Sequence, residues 1–337
     1  MRGLALTLYR NVKDVEIIGF IDGYKGLMYE KYRKMKPKDF YDILNVGGSI
    51  LGNSRCPFKR MRIIENGFDK VKAMKNTYKK LELDCLVVLG GNGSIKSANM
   101  LSQEGLNVIA LPKTIDNDAW GTDYTFGYSS ATAIATRYLD EIKTTASSHS
   151  RVFVIEVMGH KVGHICLSAG IAAGADVILL PEIPYDIKVV AKKVKETLKN
   201  EKNYAIIACA EGAISEADAL MKRKDYKAKV LARNGRSVAY EVADELSQEI
   251  DAEIRVSCIG HAQRGGHPDS YDREISTRFG VEGARLIIKK HYGEYVVLQG
   301  NHVTHIPLEA TAGKLKYVDT EGEIVQSAKL VGISFGE

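Results

Sequence analysis

Two carboxylates with a single residue between them, Asp116 and Asp118, follow Lys113 and Thr114 in the run Pro112-Lys113-Thr114-Ile115-Asp116-Asn117-Asp118. In such a loop one carboxylate can accept a proton from a hydroxyl while the other orients it or approaches a metal, and a lysine can neutralise phosphoryl charge. Read alone, the same run is also a polar turn capped by its own Asx side chains. A second loop, Gly90-Gly91-Asn92-Gly93-Ser94, follows an apolar run and precedes a helical pattern. Glycines there let backbone N–H groups approach an anion, and the helix N-terminus adds a favourable dipole. Many strand-to-helix turns need glycine for geometry only, so the loop does not decide the matter. No G-x-x-x-x-G-K-[ST] run is present, and Gly91-Asn92-Gly93 lacks the third glycine of the dinucleotide fingerprint.

Polar groups recur at other run ends: His149-Ser150-Arg151, Met158-Gly159-His160-Lys161, Glu211-Gly212, and Gly260-His261-Ala262-Gln263-Arg264-Gly265-Gly266. Singly, each such residue serves the surface or the core. Jointly they suit phosphate and sugar hydroxyls. The eight histidines form no zinc pattern, and the five cysteines include no C-x-x-C pair. Reduced core thiols are the expectation.

The elements that must hold these loops are short β-branched runs at 15–20, 85–89, 107–111, 152–157, 177–180, 205–210, 254–258 and 295–298, alternating with amphipathic segments. Val71, Met74, Tyr78 and Leu81 repeat at helical spacing, as do Ile134, Tyr138 and Ile142. Alternating β and α implies an α/β fold with mostly parallel sheets and ligands at the carboxyl ends of strands. With 337 residues and 45% hydrophobic content, two domains are expected. The division is placed near 125–150, where the helical stretch 129–147 can cross between two α/β units. The net charge of +5 is spread along the chain rather than blocked, which argues against nucleic-acid binding. No stretch approaches the roughly 18 apolar residues of a membrane span, so no membrane association and a cytoplasmic location are expected.

Taken together, residues 90–94, 112–118, 121–131, 148–151, 156–159, 210–212 and 261–266 resemble the 6-phosphofructokinases, in family order and over nearly the whole chain. The resemblance implies two α/β domains with the active site between them: a donor-binding domain of 1–128, rejoined by 292–337, and a sugar-phosphate-binding domain of 129–291. It implies transfer of phosphate from ATP, with Mg2+, to fructose 6-phosphate, in a homo-oligomer whose subunits complete each other's sugar site. Asp116 becomes the general base, with Thr114, Asp118 and Lys113 beside it in the reacting loop. Met158, Gly159, His160, Glu211, His261, Ala262, Gln263 and Arg264 become sugar-phosphate contacts, with Arg151 and Arg255 donated across an interface. Arg55, Cys56, Gly91, Asn92, Gly93 and Ser94 fall at the donor.

The chain departs from the family pattern at several points. Asn92 stands where an aspartate usually holds the metal, so it is a weak Mg2+ ligand. His160 replaces an arginine that stabilises transition-state charge. Gly93 leaves room for a nucleotide and favours ATP, whereas Lys113 and the 315–336 stretch resemble the lineage that includes pyrophosphate users, so pyrophosphate remains an alternative donor. A catalytically weak sugar-phosphate-binding paralogue or regulatory subunit is the third reading. Asp176 and Lys202 match effector contacts only in part, since Asn200 replaces a second lysine. The family's first strand and its Gly-Gly-Asp loop are expected to be missing before Arg2-Gly3, with loss of stability and activity as the consequence.

Overall fold

The computed structural model describes residues 1–200, 202–311 and 313–337. Its strands are β1 (Ile17–Phe20), β2 (Tyr32–Met35), β3 (Leu86–Gly90), β4 (Val108–Pro112), β5 (Val152–Val157), β6 (Val177–Leu179), β7 (Ala205–Ala210), β8 (Ile254–Cys258), β9 (Glu294–Gln299) and β10 (His302–Pro307). The α-helices are α1 (Arg2–Asn11), α2 (Tyr24–Met28), α3 (Lys70–Lys80), α4 (Asn92–Gln103), α5 (Tyr128–His149), α6 (His164–Ala172), α7 (Ile187–Asn200), α8 (Glu216–Ala219), α9 (Arg223–Ala232), α10 (Val238–Ser247), α11 (Ser270–Ile288) and α12 (Glu323–Leu330). They form two compact units: Met1–Thr114 with Asp118–Gly127 and Gly265–Leu315, and Ile115–Asn117 with Tyr128–Arg264 and Lys316–Glu337.

The first unit holds a four-stranded sheet in the order β10-β9-β4-β3. β3, β4 and β9 run parallel, and β10 closes one edge antiparallel to β9. Because strand side chains alternate faces, Val108, Ala110 and Val88 pack on one side with Met74, Ala98 and Leu101 of α3 and α4. Ile109 and Leu111 pack on the other with Leu4, Leu8, Ile275 and Phe279 of α1 and α11. The α1–α11 crossing is close because of glycine: a Cβ on Gly3 would lie 2.6 Å from the Thr277 carbonyl oxygen, and one on Gly280 would lie 2.7 Å from the Leu4 nitrogen. β1 and β2 form a separate antiparallel pair.

The second unit holds four parallel strands in the order β6-β7-β5-β8. Phe153, Ile155, Ile206 and Ala208 face α5, α6 and α12, while Val154, Ile207 and Cys209 face α7 and α10. Burial on both faces explains why β6 and β7 read as continuous apolar segments.

Two expectations about the division need correction. The return to the first unit spans Gly265–Leu315 rather than 292–337, because α11 seats Ile275, Phe279 and Leu286 in that unit's core. The C-terminal segment instead belongs to the second unit. Val318, Val325, Ala328 and Phe335 are buried in its core, and the Ile178 N–H donates to the Ser334 carbonyl at 2.9 Å. Nor does α5 cross between units: it lies wholly in the second, with Ala131, Ala135, Leu139 and Ala146 in its core.

Candidate active site

In the first unit, the turn after β3 carries Gly91 at the N-cap of α4 in extended conformation, and the N–H groups of Ser94 and Ile95 donate back to its carbonyl at 2.9 and 3.0 Å. The neighbouring strand end is tied to this turn, since Lys113 N–H donates to the Gly90 carbonyl at 3.0 Å. The Asn92 amide donates to the Asp118 carbonyl at 3.2 Å. A Cβ on Gly91 would lie 3.3 Å from that of Thr114, so the glycine turn and the Lys113–Thr114 end of the reacting loop are in contact. Gly93 is exposed, and a Cβ there would meet nothing within 4 Å. Tyr24 donates its hydroxyl to the Ser94 carbonyl at 2.7 Å, and burial raises its pKa. Ser54 donates to the Asp22 carbonyl at 2.6 Å and lies 3.5 Å from the Cys56 thiol, which orients the 54–56 segment with Arg55 exposed.

The second unit carries Ile115–Asn117, with Ile115 packed against that unit's core, Asp116 half-buried, and Asn117 in the left-handed conformation at φ 53 that asparagine tolerates. At the carboxyl end of its sheet, the Glu211 carboxylate accepts the Gly159 N–H at 3.2 Å and the His160 N–H. Gly212 passes so near the same turn that a Cβ would lie 2.5 Å from the His160 carbonyl. Glu182 receives the Gly163 N–H on both oxygens at 3.1 Å and the Val318 N–H at 3.0 Å. Glu156 accepts from the Ser237 hydroxyl and from the Val238 N–H at 3.2 Å, binding the start of α10. Burial, the largest cause in each case, raises the pKa of Glu156 and Glu182. After β8, a 3-10 turn over Gly260–Arg264 buries Gln263 and exposes His261, Ala262 and Arg264.

Arg151 and Arg255 are at the other end of this sheet. Arg151 precedes β5, Arg255 is the second residue of β8, and Val152 pairs with Ile254. Both arginines converge on Glu253: Arg151 Nε lies 2.9 Å from Glu253 Oε2, and an Arg255 terminal nitrogen donates to Oε1. The Arg151 guanidinium beside it, the largest influence, holds the Glu253 carboxyl below its ordinary range. Roughly 16 Å of strand separates this end of β5 from Gly159.

Residues 3–287 match the sequence profile of the family described as Phosphofructokinase. The chain belongs to the phosphofructokinase family. It is 46% identical over 341 residues to the ATP-dependent 6-phosphofructokinase of Spirochaeta thermophila, covering all of this chain and 93% of that protein. It is 40% identical to ATP-dependent 6-phosphofructokinase 3 of Bacteroides thetaiotaomicron, with coverage of 100% and 95%. Among solved structures, phosphofructokinase from Saccharomyces cerevisiae superimposes with a TM-score of 0.79 at 27% identity, over 92% of this chain; the chain spans 42% of the length of that one.

Against this phosphofructokinase frame, the first unit brings Gly91, Asn92, Gly93 and Ser94 together with Lys113, Thr114 and Asp118. The second gathers Met158, Gly159 and His160 beside Glu211, and holds Asp116. It leaves Arg151 and Arg255 at the far end of the sheet. Sequence reasoning missed Tyr24, Glu182 and Glu253, which bond to backbone or to other side chains; for Glu253 the i, i+2 spacing to Arg255 was the one signal that could have found it. The cysteines are free; Cys166 and Cys209 are buried, Cys56 and Cys85 are half-buried, and Cys258 is exposed. Among the described residues no three His, Cys, Asp or Glu side chains form a ready-made metal cage. Asn92 and Asp118, held together by the bond from the Asn92 amide to the Asp118 carbonyl, carry side-chain oxygens of the kind that would suit a Mg2+ ion.

Proposed function

We propose that this phosphofructokinase transfers the terminal phosphoryl group of ATP to the 1-hydroxyl of fructose 6-phosphate, giving fructose 1,6-bisphosphate and ADP in cytoplasmic glycolysis. The observation that carries the reading is the contact of the glycine turn with the reacting loop, through Asn92 to the Asp118 carbonyl and Gly91 against Thr114. The N-terminus of α4 and the open space at Gly93 receive the donor, with Arg55 and Cys56 on the nucleotide side. Asp116 takes the proton of the 1-hydroxyl as its oxygen bonds to phosphorus and the bond to the bridging oxygen breaks. Lys113 and Thr114 stabilise the charge on the transferring group. Mg2+ would be held by the Asp118 carboxylate and weakly by the Asn92 amide, and it neutralises polyphosphate charge.

The sugar phosphate is gripped by Met158, Gly159, His160, Glu211, His261, Ala262, Gln263 and Arg264. Arg151 and Arg255, a strand's length away from Gly159, serve the site of a second copy, so the working form is a homo-oligomer. Their planar guanidinium groups suit bidentate phosphate binding.

The test is Asp116→Asn: kcat falls by about two to four orders of magnitude, the usual loss for a positioned base, while fructose 6-phosphate still binds. An unchanged kcat removes Asp116 from the role. Running the assay with pyrophosphate separates the alternative donor, which Lys113 favours.

A further inference from the structure

We propose that Glu253 is the positioning residue of the phosphate grip, holding the guanidinium groups of Arg151 and Arg255 together as one dianion-binding pair. This rests on the reading above, in which those two arginines bind the sugar's phosphate. Three residues from two neighbouring strand starts make the cluster. Val152 is paired with Ile254, and the Val152 N–H donates to the Glu253 carbonyl at 3.0 Å, so Arg151 and Glu253 are adjacent across the strands. Glu253 and Arg255 are two apart in sequence, which puts them on the same face of the sheet. The carboxylate divides its oxygens, Oε2 to Arg151 at 2.9 Å and Oε1 to Arg255.

Without an anion between them, two guanidinium groups repel and their long side chains spread over many rotamers. A bridging carboxylate cancels the repulsion and fixes one end of each fork. Each guanidinium has five N–H donors, and Glu253 engages only part of them; one Arg255 terminal nitrogen also donates to the Ile254 carbonyl at 3.1 Å. The remaining donors stay available to phosphate oxygens. The arginine side chains are 27% and 50% exposed, so an incoming phosphate reaches them from solvent. The ordering cost of the grip is thus met before the ligand arrives.

The backbone around the cluster is held independently of Glu253's side chain. The Arg151 N–H donates to the Ala146 carbonyl at 3.0 Å, and the Asn203 amide donates to the Ser147 carbonyl and the Ser150 hydroxyl, each at 2.9 Å. Loss of the carboxylate therefore acts on the two arginine arms rather than on the strand.

The experiment is steady-state kinetics with ATP and varied fructose 6-phosphate for Glu253→Gln, Glu253→Asp, Arg151→Ala and Arg255→Ala, with thermal melts of each. The expected result is a KM for fructose 6-phosphate about three- to tenfold higher in Glu253→Gln, the scale of two partly exposed ion pairs. It comes with kcat within about twofold, an unchanged melt, and part of the KM recovered in Glu253→Asp. A KM that stays flat or falls in Glu253→Gln, while Arg151→Ala and Arg255→Ala raise it, overturns the role of Glu253 and leaves the functional reading intact. If neither arginine variant changes KM, the assignment of the phosphate grip itself fails, and this proposal with it.

Discussion

Gly93 and His164 show how a single position is decided by its surroundings. A Cβ on Gly93 meets nothing within 4 Å, so Gly93→Asp folds, and its carboxylate enters the space assigned to the nucleotide. ATP turnover is expected to fall by at least about two orders of magnitude, the scale of losing the donor site to a like-charge clash with phosphate, while pyrophosphate turnover is retained or gained. Ordinary ATP kinetics in this variant would sink the steric argument for the donor. His164 is different in kind. Its Nε2 lies 3.1 Å from the Lys316 carbonyl, and burial, with Lys316 second, lowers its pKa to about 4. A histidine whose folded pKa lies below the unfolded value favours folding above about pH 6.5, and that advantage drains away as pH falls toward 4, by about 3 kcal/mol at most. Melting curves from pH 7 to pH 4.5 should therefore drop more steeply for the wild-type chain than for His164→Gln; parallel curves would remove His164 from the acid response. At this scale residue type and spacing marked Asp116 and Gly93 as candidates without deciding their chemistry, and the family resemblance supplied the role expected of each. Tyr24 and Glu182 were not marked: Tyr24 bonds to the carbonyl of Ser94 and Glu182 to the N–H of Val318, and no local spacing announces partners so distant in sequence.

Among the elements, most strands could be read from sequence, edge strands β3, β6 and β8 included, but β2 and β10 could not. β4 and β7 are buried on both faces and present unbroken apolar runs. β2, Tyr-Arg-Lys-Met, exposes three of its four residues, and β10 is an edge strand with no fully buried residue, so neither shows a hydrophobic signal. The α1–α11 crossing depends on small residues in the same hidden way. Gly280→Ala puts a methyl 2.7 Å from the Leu4 nitrogen and 3.2 Å from Gly3 backbone atoms, none of which can turn aside. The clash costs about 1–3 kcal/mol against about 1 kcal/mol of gained helix propensity, so a net loss of stability is expected. Gly283→Ala on the same helix meets only flexible leucine side-chain ends, Leu4 Cδ1 at 3.2 Å and Leu111 Cδ1 at 3.6 Å, and its melt should match or exceed that of the wild type. Equal effects of the two variants would mean that α1 does not pack as tightly on α11 as the backbone spacing requires.

For the whole molecule, the sequence disclosed two α/β units but not which unit each late segment joins, because α11 and α12 are both amphipathic and only the shapes of the two cores tell them apart. One consequence of the second unit's sheet extends beyond a single chain. Glu211, with the Gly159 turn it holds, and the Arg151–Arg255 pair stand at opposite ends of the same parallel strands, and no arginine side chain spans roughly 16 Å of strand. If both groups hold one sugar phosphate, the two ends come from different copies. A variant lacking the arginines (Arg151→Ala with Arg255→Ala) and a variant lacking the carboxylate (Glu211→Gln) should each be nearly inactive alone at low fructose 6-phosphate. In an isologous pair, each mixed assembly has one site with both defects and one site with none. Unfolding the two variants together and refolding an equal mixture then restores roughly a quarter of wild-type activity: half the pairs are mixed, and each has half its sites intact. Recovery requires exchange of subunits, so mixing without refolding serves as the control. A refolded mixture no more active than its separate components would show that both groups do not serve one site in different copies, and the homo-oligomeric reading of the sugar site would have to be given up.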